Sequence, residues 1–529
     1  MLKEKTNFKR FGVMLDCSRN AVMKVETVKR FIDHLQIMGY NALELYTEDT
    51  YEIKDEPRFG YLRGRYTGEE IKEIDAYANS RGVELIPCVQ TLGHFSALVR
   101  NTEFSDIVDS NDVLLVDEEK TYALIEKIFA TLAENFTSRA VNIGMDETFA
   151  LGRGKFLDKH GYENRFSIFL RHLQRVVQIA EQYGFTPHMW SDMFFRIATG
   201  GKYFVDEPFD FPENVVSGLP ENIELAYWDY DHYNAREYDV MLDCHARLNR
   251  NVWFAGGAWT WTGFAPLNKV ALKKTKAAME SVRAKGIQNV LMTLWGDDGS
   301  ECSYFSALPT LYAARQYANG NFDDEEIKRG FFNLFKVAFD DFLALDLPDM
   351  EYAKQVAVSK VGLYNDPLLG IYDKNIEKWG KNPYGEHAKC LLAIAKSAGE
   401  YAYIFNSQAR LCETLVQKLD FGVRLRKAYQ SGEKSALKSC LKELSKIEKR
   451  VQAFYKAFYV LWHTENKPHG WEVQDARLGG LIQRLKTCKL RIKEYLQGKI
   501  GEIAELEEEI LDYADSVRYT YIATRGVTE

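Results

Sequence analysis

Thr67-Gly68-Glu69-Glu70 opens, and Arg81-Gly82-Val83-Glu84-Leu85-Ile86-Pro87-Cys88-Val89 closes, one complete structural unit. Thr67 with Glu70 three residues on is a capping box. The hydroxyl accepts from the third helical amide while the carboxylate reaches back to the Thr67 amide. Gly82 reads as the stop of that helix, at the position where left-handed backbone favours glycine. The apolar run 83–89 then reads as a buried strand.

The same grammar recurs along the first 330 or so residues. Glycine stops stand at Gly39, Gly82, Gly184 and Gly286, each followed by a short apolar run. The runs are 11–15, 42–46, 83–89, 141–145, 186–190, 223–228, 252–255 and 290–295, eight in all. Strands alternating with helices at this spacing imply parallel βαβ units. Eight such units predict an α/β fold, a (β/α)8 TIM barrel over residues 1–334. An open doubly wound sheet is the alternative. No glycine-rich phosphate fingerprint follows the first strand, which argues against its dinucleotide-binding form.

From about residue 335 the strand-like runs give way to long amphipathic patterns at 387–417, 433–462, 474–496 and 502–513. These predict an all-α C-terminal domain over 335–529. Its simplest role is structural, and its long helices would also offer a homodimer interface.

Composition narrows the function. The net charge of −8 and the lack of a basic stripe leave no electrostatic footprint for nucleic acid. No apolar run approaches the roughly 20 residues a membrane helix needs, and no signal-peptide core follows the initial charges. The eight cysteines are scattered without metal-ligand spacing. They read as reduced thiols of a cytoplasmic protein, with no metal and no cofactor expected. Aromatics are abundant at 13%, and aromatic rings are a common lining for sugar faces as well as for cores.

A barrel does its chemistry at the C-terminal ends of its strands. After the eight runs stand Asp16-Cys17-Ser18-Arg19, Thr47-Glu48-Asp49, Gln90-Thr91-Leu92-Gly93-His94, Asp146-Glu147, Trp190-Ser191-Asp192, Tyr227-Trp228-Asp229-Tyr230, Trp259-Thr260-Trp261 and Trp295-Gly296-Asp297-Asp298. Each residue has a plainer reading: Arg19 paired with Asp16, His94 a core histidine, Trp190 and Trp295 packing residues, Asp229 and Asp297 helix caps. Acids and aromatics repeated at the same structural place favour a carbohydrate pocket. The adjacent acids Asp146 and Glu147 repel each other, and burial with repulsion can keep one of them protonated for general-acid work.

These residues resemble glycoside hydrolase family 20, the exo-β-N-acetylhexosaminidases. Asn142-Ile143-Gly144-Met145-Asp146-Glu147 matches the family's His-x-Gly-Gly-Asp-Glu core, with Asn for His and Met for the second Gly. Asp16-Cys17-Ser18-Arg19 and Leu92-Gly93-His94 match two further motifs. The likeness is greatest to the cytoplasmic streptococcal-type subgroup with a helical C-terminal domain, and extends into Arg477-Leu478-Gly479-Gly480. The small domain that often precedes the barrel is not expected, since the first strand starts near Phe11. The resemblance implies Glu147 as general acid and base, Asp146 on the substrate acetamido N–H, and Tyr227 on its oxygen. It implies Arg19, Asp229 and Asp297 on sugar hydroxyls, and Trp190, Trp259 and Trp295 around the N-acetyl group and ring. Asp49 and His94 would form a polar relay behind Glu147, although Glu48 stands beside Asp49 where an aspartate pair is usual.

The implied reaction removes terminal β-linked GlcNAc or GalNAc from an oligosaccharide or glycoconjugate, with the substrate's own acetamide as nucleophile. An ordinary retaining enzyme needs two carboxyls about 5 to 5.5 Å apart across the bond, which adjacent residues do not easily supply. The alternatives are a barrel glycosidase with a carboxylate nucleophile such as Asp297, and a non-catalytic carbohydrate-binding protein.

Overall fold

The computed structural model describes residues 8–349, 357–513 and 516–526. Eight strands form a closed barrel: β1 (Arg10–Asp16), β2 (Ala42–Thr47), β3 (Glu84–Val89), β4 (Ala140–Asn142), β5 (Thr186–Trp190), β6 (Glu224–Asp229), β7 (Val252–Gly257) and β8 (Asn289–Leu294). All neighbours are parallel and follow chain order. The ring closes where β1 pairs with β8, Phe11 opposite Val290, and with β2, Gly12 opposite Ala42.

The local signals act as read. Thr67 and Glu70 form both capping-box bonds, at 2.9 and 3.1 Å, and open the helix Gly68–Ser80. Gly39, Gly82, Gly184 and Gly286 all take left-handed backbone, with φ between 67° and 83°. Strand β4 departs from expectation, ending at Asn142 rather than 145, because the backbone turns left-handed at Gly144. A small hairpin, Val108–Ser110 with Val113–Leu114, was not foreseen in the sequence.

Apolar residues divide between an outer shell under the helices and a small inner cluster within the barrel, which includes Met14, Tyr46, Trp190, Trp253 and Leu291. Several polar groups pair inside that cluster. Glu44 Oε1 lies 2.8 Å from His188 Nε2, and the His188 ring stacks on Trp253 at 4.2 Å. Trp253 Nε1 donates to Glu224 at 2.6 Å.

Beyond the barrel the described residues are helical. The longest elements are Lys434–Glu465 and Trp471–Leu496. Leu437, Cys440, Leu444, Ile447, Val451, Phe454 and Phe458 run down one buried face of the first at three- and four-residue spacing. The pattern at 387–417 is two helices, Tyr384–Ala395 and Ala402–Lys418, broken where Gly399 takes positive φ. The pattern at 502–513 yields only Ala504–Glu507, with Leu506 its single buried residue; so short a segment has no apolar face to dock. No helix among the described residues is long and apolar enough to cross a membrane.

Candidate active site

The acidic pair leaves β4 through a tight turn. Asn142 Oδ1 accepts from the Gly144 N–H at 3.0 Å, and Gln90 Oε1 accepts from the Met145 N–H at 3.1 Å. Gly144, Met145 and Glu147 take φ of 71°, 70° and 49°. A Cβ on Gly144 would lie 2.1 Å from Gln90 Oε1, so only glycine fits. The left-handed non-glycine residues cost about 1–3 kcal/mol each and are held by these bonds. The turn sends the two acids to different partners: Asp146 is buried against Gln90 and His94, while the Glu147 side chain is 41% exposed and lies 3.8 Å from Arg196.

Charges alternate along a buried line. Asp146 Oδ2 lies 3.1 Å from His94 Nε2, whose Nδ1 lies 3.8 Å from Glu48 Oε1. Glu48 Oε1 is 3.3 Å from Arg19, and Arg19 is 3.0 Å from Asp16. Asp16 Oδ2 also accepts from the Gly296 N–H at 2.9 Å, tying the first strand end to the eighth. Burial opposes the charged His94 ring, but Asp146 outweighs it and raises the imidazole to about 9. Burial likewise opposes the Asp146 anion, and His94 with the Gln90 amide, 2.8 Å from Oδ1, outweighs it and keeps this carboxyl below its usual range. Glu147 goes the other way: burial and the Asp146 charge raise its carboxyl, against the pull of His94 and Arg196. Asp192 accepts from the Glu147 N–H at 3.2 Å and from Arg196 at 2.9 Å. Burial and Asp146 still push its carboxyl up to about 7.

These groups surround a cavity of about 200 Å³ at the C-terminal mouth of the barrel. It is lined by Arg19, His94, Asp146, Glu147, Trp190, Trp228, Tyr230, Trp261, Trp295 and Asp297. That volume is below the roughly 300–1,000 Å³ of drug-sized pockets and suits one sugar ring. Trp295 Nε1 donates to the Tyr230 hydroxyl at 2.9 Å, fixing it at the wall. Trp228 stacks on Tyr230 at 5.3 Å. Arg19 sits over the rings of Tyr46 and Trp295 at 5.0 and 5.4 Å. Among the described residues no group of three or more His, Cys, Asp or Glu is arranged to hold a metal ion.

Seven of the expected residues therefore meet in the cavity: Arg19, His94, Asp146, Glu147, Trp190, Trp295 and Asp297. Four do not line it. In β6 the inner cluster takes Ala226 and Trp228, so alternation turns Tyr227 outward. Tyr227 packs there on His245 and Phe254, and its hydroxyl donates to Asp229. Asp229 is buried and caps its own turn, accepting from the Asp231 and His232 amides at 3.0 and 3.2 Å. Trp259 lies in a separate crevice with Lys274 Nζ 4.3 Å from its ring, and Trp261 occupies the cavity wall instead. Asp49 pairs with Arg63 at 3.2 Å, leaving Glu48 as the acid beside His94. Sequence reasoning passed over Gln90, Glu48, Asp192, Arg196, Trp228, Tyr230 and Trp261. All but Arg196 stand in the strand-end clusters, and Tyr230 follows Trp228 at the two-residue spacing that keeps it on the same face.

Comparison with known proteins agrees with this architecture. The description "Glycosyl hydrolase family 20, catalytic domain" matches residues 8–237, and "Glycoside Hydrolase 20C C-terminal domain" matches residues 338–523. Hexosaminidase D of Homo sapiens is 27% identical over 241 residues, 44% of this chain and 45% of that protein. Hexosaminidase D of Bos taurus is 23% identical over 303 residues, 52% of this chain and 82% of that protein. The solved GH20 exo-β-N-acetylglucosaminidase of Vibrio harveyi in complex with N-acetylglucosamine is similar at 17% identity and a TM-score of 0.48, over 64% of this chain and 58% of that one. The barrel's catalytic domain and the helical domain that follows it both match this one family, and the chain belongs to glycoside hydrolase family 20.

Proposed function

We propose that this protein is an exo-β-N-acetylhexosaminidase, with a catalytic barrel over 1–334 and a helical domain over 335–529. It would release terminal β-linked GlcNAc or GalNAc by substrate-assisted, retaining hydrolysis. The observation that carries this reading is the division of the acidic pair: Asp146 held as an anion by His94 and Gln90, Glu147 raised toward the protonated form, both in a one-sugar cavity.

Each role follows from its chemistry. Glu147 donates its proton to the leaving glycosidic oxygen. The substrate acetamido oxygen attacks C1 from the opposite face, forming an oxazolinium ion. Asp146 accepts from the acetamido N–H and faces the positive charge that develops on the ring. A preorganised contact of this kind contributes about 3–4 kcal/mol to the rate. Glu147, now a carboxylate, takes a proton from water as that water opens the ring at C1, and configuration is retained. Tyr230 takes the role expected of Tyr227, donating to the acetamido oxygen. Arg19 and Asp297 grip distal hydroxyls, and the tryptophans enclose the sugar. The buried Trp190 Nε1–H has no partner among the described residues and is a donor to spare for a bound hydroxyl.

Seven of the eight cysteines are buried and all are free, which supports residence in a reducing cytoplasm. Exposed Tyr459, Val460 and Leu490 on the two longest helices support pairing of two chains there, checked by light scattering. The functional test is release of nitrophenol from nitrophenyl N-acetyl-β-glucosaminide. Wild-type protein should turn it over and Glu147→Gln should fail on substrates with poor leaving groups. A wild type inert at micromolar concentration would sink the proposal.

A further inference from the structure

We propose that the helical domain is part of the substrate grip: its side chains and backbone position the two loops that carry Arg19 and Asp297. This rests on the reading of those two residues as ligands of the sugar's distal hydroxyls.

Asp297 sits on the loop after β8, between the cavity wall residue Trp295 and a strained turn. Asp298 and Ser300 take φ of 49° and 52°, and Gly299 takes 127°. Backbone of this kind persists only where its surroundings hold it. Here the surroundings belong to the helical domain. Lys360 Nζ lies 2.8 Å from Asp298 Oδ2 and 2.8 Å from Glu301 Oε2. Arg477 reaches Asp298 Oδ1 at 3.1 Å and Glu301 Oε1 at 2.9 Å, and donates to the Asp298 carbonyl at 2.6 Å. Gln474 donates to the Gly299 carbonyl at 3.1 Å, and the Tyr519 N–H donates to Asp298 Oδ2 at 2.7 Å. A Cβ on Gly299 would come within 2.6 Å of the Arg477 guanidinium, so the loop and the cation approach as closely as glycine permits. The Lys360 side chain is 1% exposed; two buried cations here meet two acids.

The loop after β1 is held from the same side. The end of the helix Lys434–Glu465 lies against it: the Lys24 N–H donates to the Glu465 carbonyl at 3.0 Å, and the Lys467 N–H donates to the Val22 carbonyl at 2.8 Å. Met23 and Asn466 form an antiparallel bridge. The two loops are then joined, because Ser300 Oγ donates to the Arg19 carbonyl at 2.6 Å. Neither Lys360, Gln474 nor Arg477 lines the cavity. They act as positioning residues through the backbone of the groups that do.

Contacts to distal hydroxyls are made in ground and transition states alike, so loosening them raises KM more than it lowers kcat. With nitrophenyl N-acetyl-β-glucosaminide, Arg477→Met should raise KM about tenfold with kcat within about threefold, the loss of roughly one hydrogen bond's worth of binding. Arg477→Lys should restore part of it. Gln474→Met removes one neutral bond and no charge; it should fold where Arg477→Met does not, and should raise KM by a smaller factor. Arg484→Met is the control. Arg484 pairs with buried Asp366 inside the helical domain, 2.5 Å away, so it tests loss of stability without loss of the loop anchor. An active wild type whose KM is unmoved in Arg477→Met and Gln474→Met, or moved equally in Arg484→Met, overturns the inference alone. An inert wild type overturns the functional reading and this inference with it.

Discussion

His94→Gln removes a charge while keeping an amide that can still donate toward Asp146, so it isolates the electrostatic part of the site. The imidazole is raised from 6.5 to about 9, which corresponds to about 3 kcal/mol of preference for the charged ring. Coulomb's law for charges 3.1 Å apart at an effective dielectric near 20 gives about 5 kcal/mol, the same order. By linkage the partner's carboxyl must respond in kind. In the wild type Asp146 is held below its usual range; without the positive ring, burial is opposed by hydrogen bonds alone, the Gln90 amide among them, and the carboxyl rises. Asp146 works as an anion, so activity that needs it is lost as pH falls through its pKa. The variant should therefore show an acidic limb of kcat/KM moved to higher pH, and a value at neutral pH about 100-fold below wild type. The wild type should keep its charged His94 up to about pH 9, with the basic limb set by whichever of Glu147 and His94 loses its proton first. The assay is kcat/KM against pH for both proteins on one nitrophenyl substrate. An acidic limb that does not move, with kcat/KM within threefold of wild type, would refute the claim that His94 keeps Asp146 ionised.

Three further outcomes are expected. Tyr230→Phe should lower kcat/KM about tenfold, whereas Tyr227→Phe should leave kinetics within twofold and cost about 1 kcal/mol of stability, since its hydroxyl bonds the buried Asp229. Steady-state rates and denaturation curves separate the two; the reverse pattern would restore Tyr227 to the site. Gly144→Ala should cut kcat/KM well over tenfold, because its Cβ would collide with Gln90 and displace the acidic pair; an unaffected variant would show that the turn relaxes freely. Thr67→Ala should cost about 1 kcal/mol by loss of the capping bond and leave kcat and KM unchanged, read by thermal melting alongside rates.

Much of the barrel is legible in the sequence because each unit carries its own punctuation. The capping box at Thr67 and the glycine stops are local devices, and local devices survive without knowledge of partners. Direction within the barrel is not local. Strand β6 reads Glu-Leu-Ala-Tyr-Trp-Asp, and a parallel strand is buried on both faces, so no polar alternation marks the inward side. That is why Tyr227 was expected in the cavity and Trp228 with Tyr230 are found there. Glu48 and Asp49 present the same difficulty, settled by Arg63, which reaches Asp49 from 14 residues along the chain. Arg196 lies a full helical turn past Asp192 and approaches Glu147 only through the fold. The anchoring of Asp298 by Lys360 and Arg477 spans as many as 179 residues of chain, and no spacing rule reaches that far.

The central claim is that the substrate's acetamide is the nucleophile and the Asp146–Glu147 pair serves it. The most direct measurement is the rate of hydrolysis of nitrophenyl β-glucosaminides whose N-acetyl group carries none, one, two or three fluorines. Each fluorine withdraws electron density from the carbonyl oxygen, so the account predicts a steep, monotonic fall in kcat/KM across the series. A flat series, with trapping of the enzyme by a 2-fluoro sugar, would contradict it and assign the attack to a protein carboxylate.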